Sequence, residues 1–295
     1  MLKNIKSVYI LKMIFDNFGK SKGLLISYKN KYLNKELEIK VDDYKDAYEN
    51  ILIKLKLSKN PEVYKEQKNY FICINLNNLN QDGYEMYFDD KKMDIQCQYV
   101  IKNDKVSSIL IKIKPSIKSL RNLFENCECI EEINVINCVR RNIEDTSFMF
   151  YGCSSLRRLD ITRLKTYCVK NMNCMFYGFY GCCLLRVINV SFLRTNNVTN
   201  MEGMFKCCSA LENLNVSNFN TALVTNFSEM FYEDKSLNNL NVSNFVINNA
   251  KFFDKMFYKC SSLGNLKLFL LNFHPDSDRT DMFKGCLGHN MENNK

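Results

Sequence analysis

Fourteen cysteines and two histidines are the residues in this 295-residue chain whose types could do metal or nucleophilic chemistry. Their spacing argues against both. No CxxC occurs, and Cys127-Glu128-Cys129 is one residue too tight for the usual zinc knuckle. His274 and His289 sit near the C-terminus and leave most cysteines without an imidazole to act as base or co-ligand. Cys127, Cys153, Cys208, Cys260 and Cys286 each fall three residues after a recurring Phe, with Cys182 or Cys183 as the equivalent in a repeat that carries an insertion. Such regular placement points to small buried thiols that pack in a stack. GxSxG, P-loop and HExxH motifs are missing, so the sequence assigns no catalytic residue, metal ligand or cofactor.

Arginine supplies the local asymmetry. Eight of the nine arginines lie within residues 121–194, and Arg157, Arg158 and Arg186 flank successive predicted strands. Guanidinium forks suit carboxylate or phosphate groups, which makes an acidic protein the expected partner. A solvated face on which these arginines pair with Glu131, Glu132 and Asp160 is the plainer reading. Two polar rows run beside them. Asn134, Asp160, Asn189, Asn215, Asn241 and Lys267 lie ten residues after the recurring Phe, and Thr162, Ser191, Ser217 and Ser243 twelve after it, Asn189 and Ser191 once the three-residue insertion is allowed for. They are expected to project away from the core, either as a binding face or as a ladder of amides bonded to one another up a stack.

What must position these residues is a repeat. Leu123-Phe124, Met149-Phe150, Met175-Phe176, Met204-Phe205, Met230-Phe231, Met256-Phe257 and Met282-Phe283 are 26 residues apart, except for one step of 29. The long step contains the stutter Tyr177-Gly178-Phe179-Tyr180-Gly181-Cys182. A fixed period of this size signals stacked units. After each Phe the pattern LxxLxV, as in Leu211, Leu214 and Val216, reads as a short strand with alternate side chains inward. The tract NVTNMEGMF at 197–205 is expected to form a helical turn beneath it.

Residues 1–60 show helical periodicity, with Ile5, Val8, Tyr9, Leu11 and Phe15 on one face. Further helices are expected over 24–37 and from Asp42. Segments 70–76, 84–88, 95–101 and 107–113 alternate apolar and polar residues and read as strands of a β-rich segment or cap. The predicted organisation is a helical module at 1–60, a β segment at 61–118, about seven repeats at 119–288 and a polar tail at 289–295. No apolar run approaches the roughly 20 residues of a membrane span.

The net charge of +9 is concentrated early: residues 1–120 hold 22 Lys/Arg against 15 Asp/Glu. Acids are interspersed with these bases, which argues against a nucleic-acid footprint.

MFYGCSSLRRLDI (149–161) and NNVTNMEGMFKCCSALENLNVSNFNT (196–221) resemble the 26-residue BspA-type leucine-rich repeats. The resemblance covers about 120–288 and implies an α/β leucine-rich-repeat solenoid, one short strand plus one helical turn per unit. Relatives of that type are often surface or adhesin-like proteins. This chain shows no signal peptide, lipoprotein cysteine or anchor, and several sequons (Asn189, Asn215 and Asn241 among them) lie on the predicted strand face. The expectation is therefore a cytoplasmic, non-catalytic protein–protein scaffold. The alternatives are a cell-surface adhesin exported by another route, or an F-box-like adaptor, since YILKMIFDNFGKSKGLLISYKNKYLNKEL has an F-box-like rhythm without the usual Leu-Pro opening.

Overall fold

Strict alternation of apolar residues fixes the first described element. ILIKLKL at Ile51–Leu57 (β1) buries Ile51, Ile53, Leu55 and Leu57 and exposes Lys54, the period-two pattern of a strand with one covered face. The computed structural model describes residues 49–59, 69–70, 81–94, 99–100, 106–178, 184–264 and 273–286. Its elements are strands and one short 3-10 turn, Gln81–Gly83. They continue with β2 (Asn69–Tyr70), β3 (Tyr84–Phe88), β4 (Lys91–Met93), β5 (Tyr99–Val100), β6 (Ile109–Ile113), β7 (Ile130–Asn137), β8 (Arg158–Asp160), β9 (Asn213–Leu214) and β10 (Asn239–Leu240).

The central sheet has the order β4-β3-β6-β1-β7-β8. β1 lies in the middle, antiparallel to β6 through Ile53↔Ile111 and antiparallel to β7 through Leu55↔Ile133. β7 then pairs in parallel with β8, Ile133 opposite Leu159. The sheet therefore changes from antiparallel to parallel at β7, the strand of the first repeat. Buried side chains from Ile51 to Met282 form one continuous core.

Two expectations are overturned here. The helical N-terminal module fails where it can be seen: residues 51–57 are a strand inside the central sheet. The expected helices at 5–15, 24–37 and from Asp42 lie outside the described residues. The helix-plus-strand leucine-rich-repeat solenoid fails as well, because the Met-Phe tracts are not helical. In an α-helix each N–H would bond to a carbonyl four residues back in the same coil. In the first repeat Leu123, Glu125 and Cys127 donate three residues back, to Leu120, Asn122 and Phe124. Asn122, Phe124 and Asn126 instead donate forward to the carbonyls of Ser147, Met149 and Tyr151 in the next repeat.

A backbone device enforces this alternation. The residues two before and two after the repeat Phe take positive φ, as in Phe148 and Gly152 (56° and 71°), Gly203 and Cys207 (56° and 58°) and Glu229 and Glu233 (both 56°). A left-handed residue reverses the amide direction, so a helix cannot propagate through it. Two such residues per unit turn alternate amides toward the neighbouring coil. The result is a helix-free stack in which Phe124→Met149, Phe150→Met175, Phe176→Met204, Phe205→Met230, Phe231→Met256 and Phe257→Met282 are successive N–H···O=C bonds of 2.9–3.0 Å.

Parallel bridges follow the same stack, from Ser119↔Asp145 through Asn171, Asn200, Asn226 and Phe252 to Asp278. Inside it the repeat phenylalanines form one column. Adjacent rings from Phe124 to Phe283 lie 5.4–5.8 Å apart and within 11° of parallel.

Candidate interaction surface

The strand side of the stack carries the predicted binding residues, and the repeat places them by position alone. In repeats one to five the side chains nine and eleven after the Phe, three further on in repeat three, turn inward, so those at seven, eight, ten and twelve must turn out. Arg157, Arg158, Asp160, Arg186, Asn189, Ser191, Asn215, Ser217, Asn241 and Ser243 are all exposed.

Their electrostatic roles differ. Arg158 Nη1 lies 3.0 Å from Glu132 Oε1, which also accepts Lys56 Nζ at 2.7 Å. The Lys56 hydrogen bond, outweighing partial burial and aided by the Arg158 charge, holds the Glu132 carboxyl below its ordinary range. This one carboxylate thus anchors β1 and β8 to β7 and offsets much of the Arg158 charge. Arg157 and Arg186 make no ion pair among the described residues. Arg157 is fixed through its backbone, whose N–H donates to Glu131 O at 2.9 Å.

The polar rows do not form the ladder that was one reading of them. From repeat two to repeat five, the carboxamide or carboxylate of this row bonds to its own chain two residues on. Asp160 Oδ1 accepts Thr162 N and Oγ1 (3.1 and 2.7 Å), and Asn189 Oδ1 accepts Ser191 N and Oγ (3.1 and 2.8 Å). Asn215 and Asn241 accept Ser217 N and Ser243 N at 3.0 Å. These Asx turns end each strand early, which is why β9 and β10 are only two residues long. Inter-repeat amide bonds come from another row: Asn218 Nδ2 reaches Leu193 O at 3.1 Å and Asn244 Nδ2 reaches Phe219 O at 3.1 Å.

Three features escaped the sequence reading. Val187 lies in the row of Glu132 and Arg158, bridged to Asn213, and is 71% exposed. It was visible as an apolar residue at a polar row position. On the opposite side, Lys206 interrupts a tyrosine row; its ammonium lies 5.2 and 4.8 Å from the Tyr177 and Tyr232 ring centres and 2.6 Å from Glu229 Oε2. The third, Asp234 in the thiol row, was legible as the one acid among cysteines.

The described residues define a repeat-stack protein: a mixed sheet joined to helix-free coils, with a polar, arginine-bearing strand face. The chain belongs to the family described as "Mycoplasma protein of unknown function, DUF285", which matches residues 118–181 and 178–295. The two matches meet at the three-residue insertion. No curated protein and no solved structure matches the chain. Among the described residues, no helix is long and apolar enough to cross a membrane.

Proposed function

We propose that this protein is a non-catalytic protein-interaction scaffold whose strand face binds an acidic protein segment through repeats two and three. The observation that carries this reading is the separation of roles among polar side chains. Backbone turns are satisfied by Asp160, Asn189, Asn215 and Asn241, and the stack is tied by Asn218 and Asn244. Arg157 and Arg186 serve neither purpose and stand exposed at equivalent positions of repeats two and three, Arg186 next to the exposed Val187. Guanidinium groups that pair with no described carboxylate, one of them beside an exposed apolar residue, suit a partner that brings carboxylates around an apolar side chain. The sequence resemblance to BspA-type repeats, whose relatives are often surface or adhesin-like proteins, supports a binding role.

Asn189, Asn215 and Asn241 are exposed sequon residues on this face, and glycans there would cover it. We therefore propose that the scaffold acts inside the cell, where these asparagines stay bare. Affinity capture with the full chain and with R157E/R186E tests the reading. The acidic partner retained by the native chain should be lost from the double variant at physiological salt, with an unchanged thermal midpoint. Equal capture by both would sink the proposal. Several N-glycans on the native protein would sink the placement.

A further inference from the structure

One residue of the thiol row is not a thiol. Cys153, Cys208, Cys260 and Cys286 each donate Sγ–H to the backbone carbonyl of the Phe in the preceding repeat, namely Phe124, Phe176, Phe231 and Phe257, at 2.7–3.1 Å. The same carbonyl also takes the amide that closes its own turn, as Phe124 O does from Cys127 N. Repeat five puts Asp234 in this row with 0% exposure. Its Oδ1 accepts the Cys208 backbone N–H at 2.7 Å, while Oδ2 is buried with no partner.

An ionised carboxylate fits this position poorly. From repeat four it meets Cys207 and Cys208, and from repeat six Cys260, whose own Sγ–H goes to the Phe231 carbonyl. On its own repeat, Glu233 is engaged with Lys235 and Lys259 at 3.3 and 3.1 Å. None of these brings a cation to the unpartnered oxygen, and one N–H does not offset the burial of a full charge. A protonated carboxyl solves the problem in the manner of the thiols. Its Oδ2–H supplies the missing donor, and the row places the Phe205 carbonyl as the acceptor.

We propose that folded Asp234 is a neutral carboxylic acid, donating through Oδ2 to the Phe205 carbonyl, and that this bond is a pH-sensitive latch between repeats four and five. Burial, opposed only by the Cys208 N–H, raises the carboxyl well above its usual range. In the unfolded chain it titrates near about 4. The unfolded state therefore releases the proton first as pH rises. The stabilisation is complete below about pH 4 and is lost from there up to the folded value, at about tenfold in the folding constant per pH unit.

Asp234→Asn gives a neutral isostere that can accept from Cys208 and donate to Phe205 without titrating. Unfolding midpoints of the full-length native chain and this variant, measured from pH 4 to 8, should diverge steadily in favour of the variant. The infrared difference spectrum at pH 7 should show a protonated-carboxyl stretch in the native protein alone. A constant difference in midpoint across the range, or no such band, would overturn the proposal. If Asp234→Asn does not fold, Asp234→Cys, which installs the row's own residue, takes its place under the same criteria.

Discussion

At the scale of single residues, short polar side chains substitute for the hydrogen bonds that a helix would supply. A second Asx row lies at the parallel bridges: Asp145, Asn171, Asn200, Asn226 and Asp278 each accept a backbone N–H two residues on, at 2.8–3.0 Å. Phe252 occupies the equivalent place in repeat six, cannot accept, and is 47% exposed. Phe252→Asn should therefore restore a turn bond to Asp254 N–H and raise stability by roughly 0.5–1.5 kcal/mol, read as a higher denaturation midpoint. Buried threonines make a third row. Thr195 Oγ1 donates to Asn220 O at 2.9 Å and accepts Asn220 N–H at 2.8 Å, and Thr221 does the same with Val246. Thr195→Val keeps the shape but strands both backbone groups, and about 1–3 kcal/mol should be lost in denaturant titration.

At the scale of the element, the Met-Phe beat was legible because each repeat must fill the same place in the core with a large ring. The column it implies is observed, Phe205 lying 5.4 and 5.8 Å from Phe176 and Phe231. Phe205→Ala should cost about 3–5 kcal/mol and Phe205→Leu markedly less, checked by the same titration. The conformation around the beat was not legible. NVTNMEGMF has the composition of a helical turn, and the left-handed positions that prevent one are filled by Phe148, Glu229 and Lys255 as well as by Gly152 and Gly203. Glycine, and less sharply Asn or Asp as at Asn122 and Asn126, announces such backbone in a sequence; Phe, Glu and Lys do not, and inter-coil bonds hold them there. β1 was misassigned for a related reason. Its ILIKLKL alternation is local, but the helical periodicity before it dominated the wider window. The exposed rows were readable from strand parity, whereas the sharing of Glu132 between Lys56 and Arg158 depends on β1 pairing with β7 across 76 residues.

At the scale of the molecule, the stack is quasi-one-dimensional: each coil bonds to its neighbours, and the six-stranded sheet adjoins only the first repeats. Such a column can be divided by disturbing one junction. At Gly178 repeats three and four approach tightly, since a Cβ there would overlap Cys207 O and lie 3.0 Å from its carbonyl carbon. Both atoms are backbone, so no side chain can swing aside, and Gly178→Ala must push the two coils apart. The bonds that should go are Phe176 N–H to Met204 O and Gly178 N–H to Lys206 O, of 2.9 and 2.7 Å. Hydrogen exchange separates two outcomes. If coupling is nearest-neighbour, the amide of Phe176 and those of repeats four to six should exchange faster in the variant, while Phe124, Phe150 and the strands β1 and β7 keep their protection. The sheet and the first two repeats then remain one folded unit after the rest has loosened. If β1 and β7 lose protection in step with Phe205 and Phe231, the phenylalanine column transmits the disturbance along its whole length, and the repeats fold as a single cooperative body rather than as a chain of neighbours.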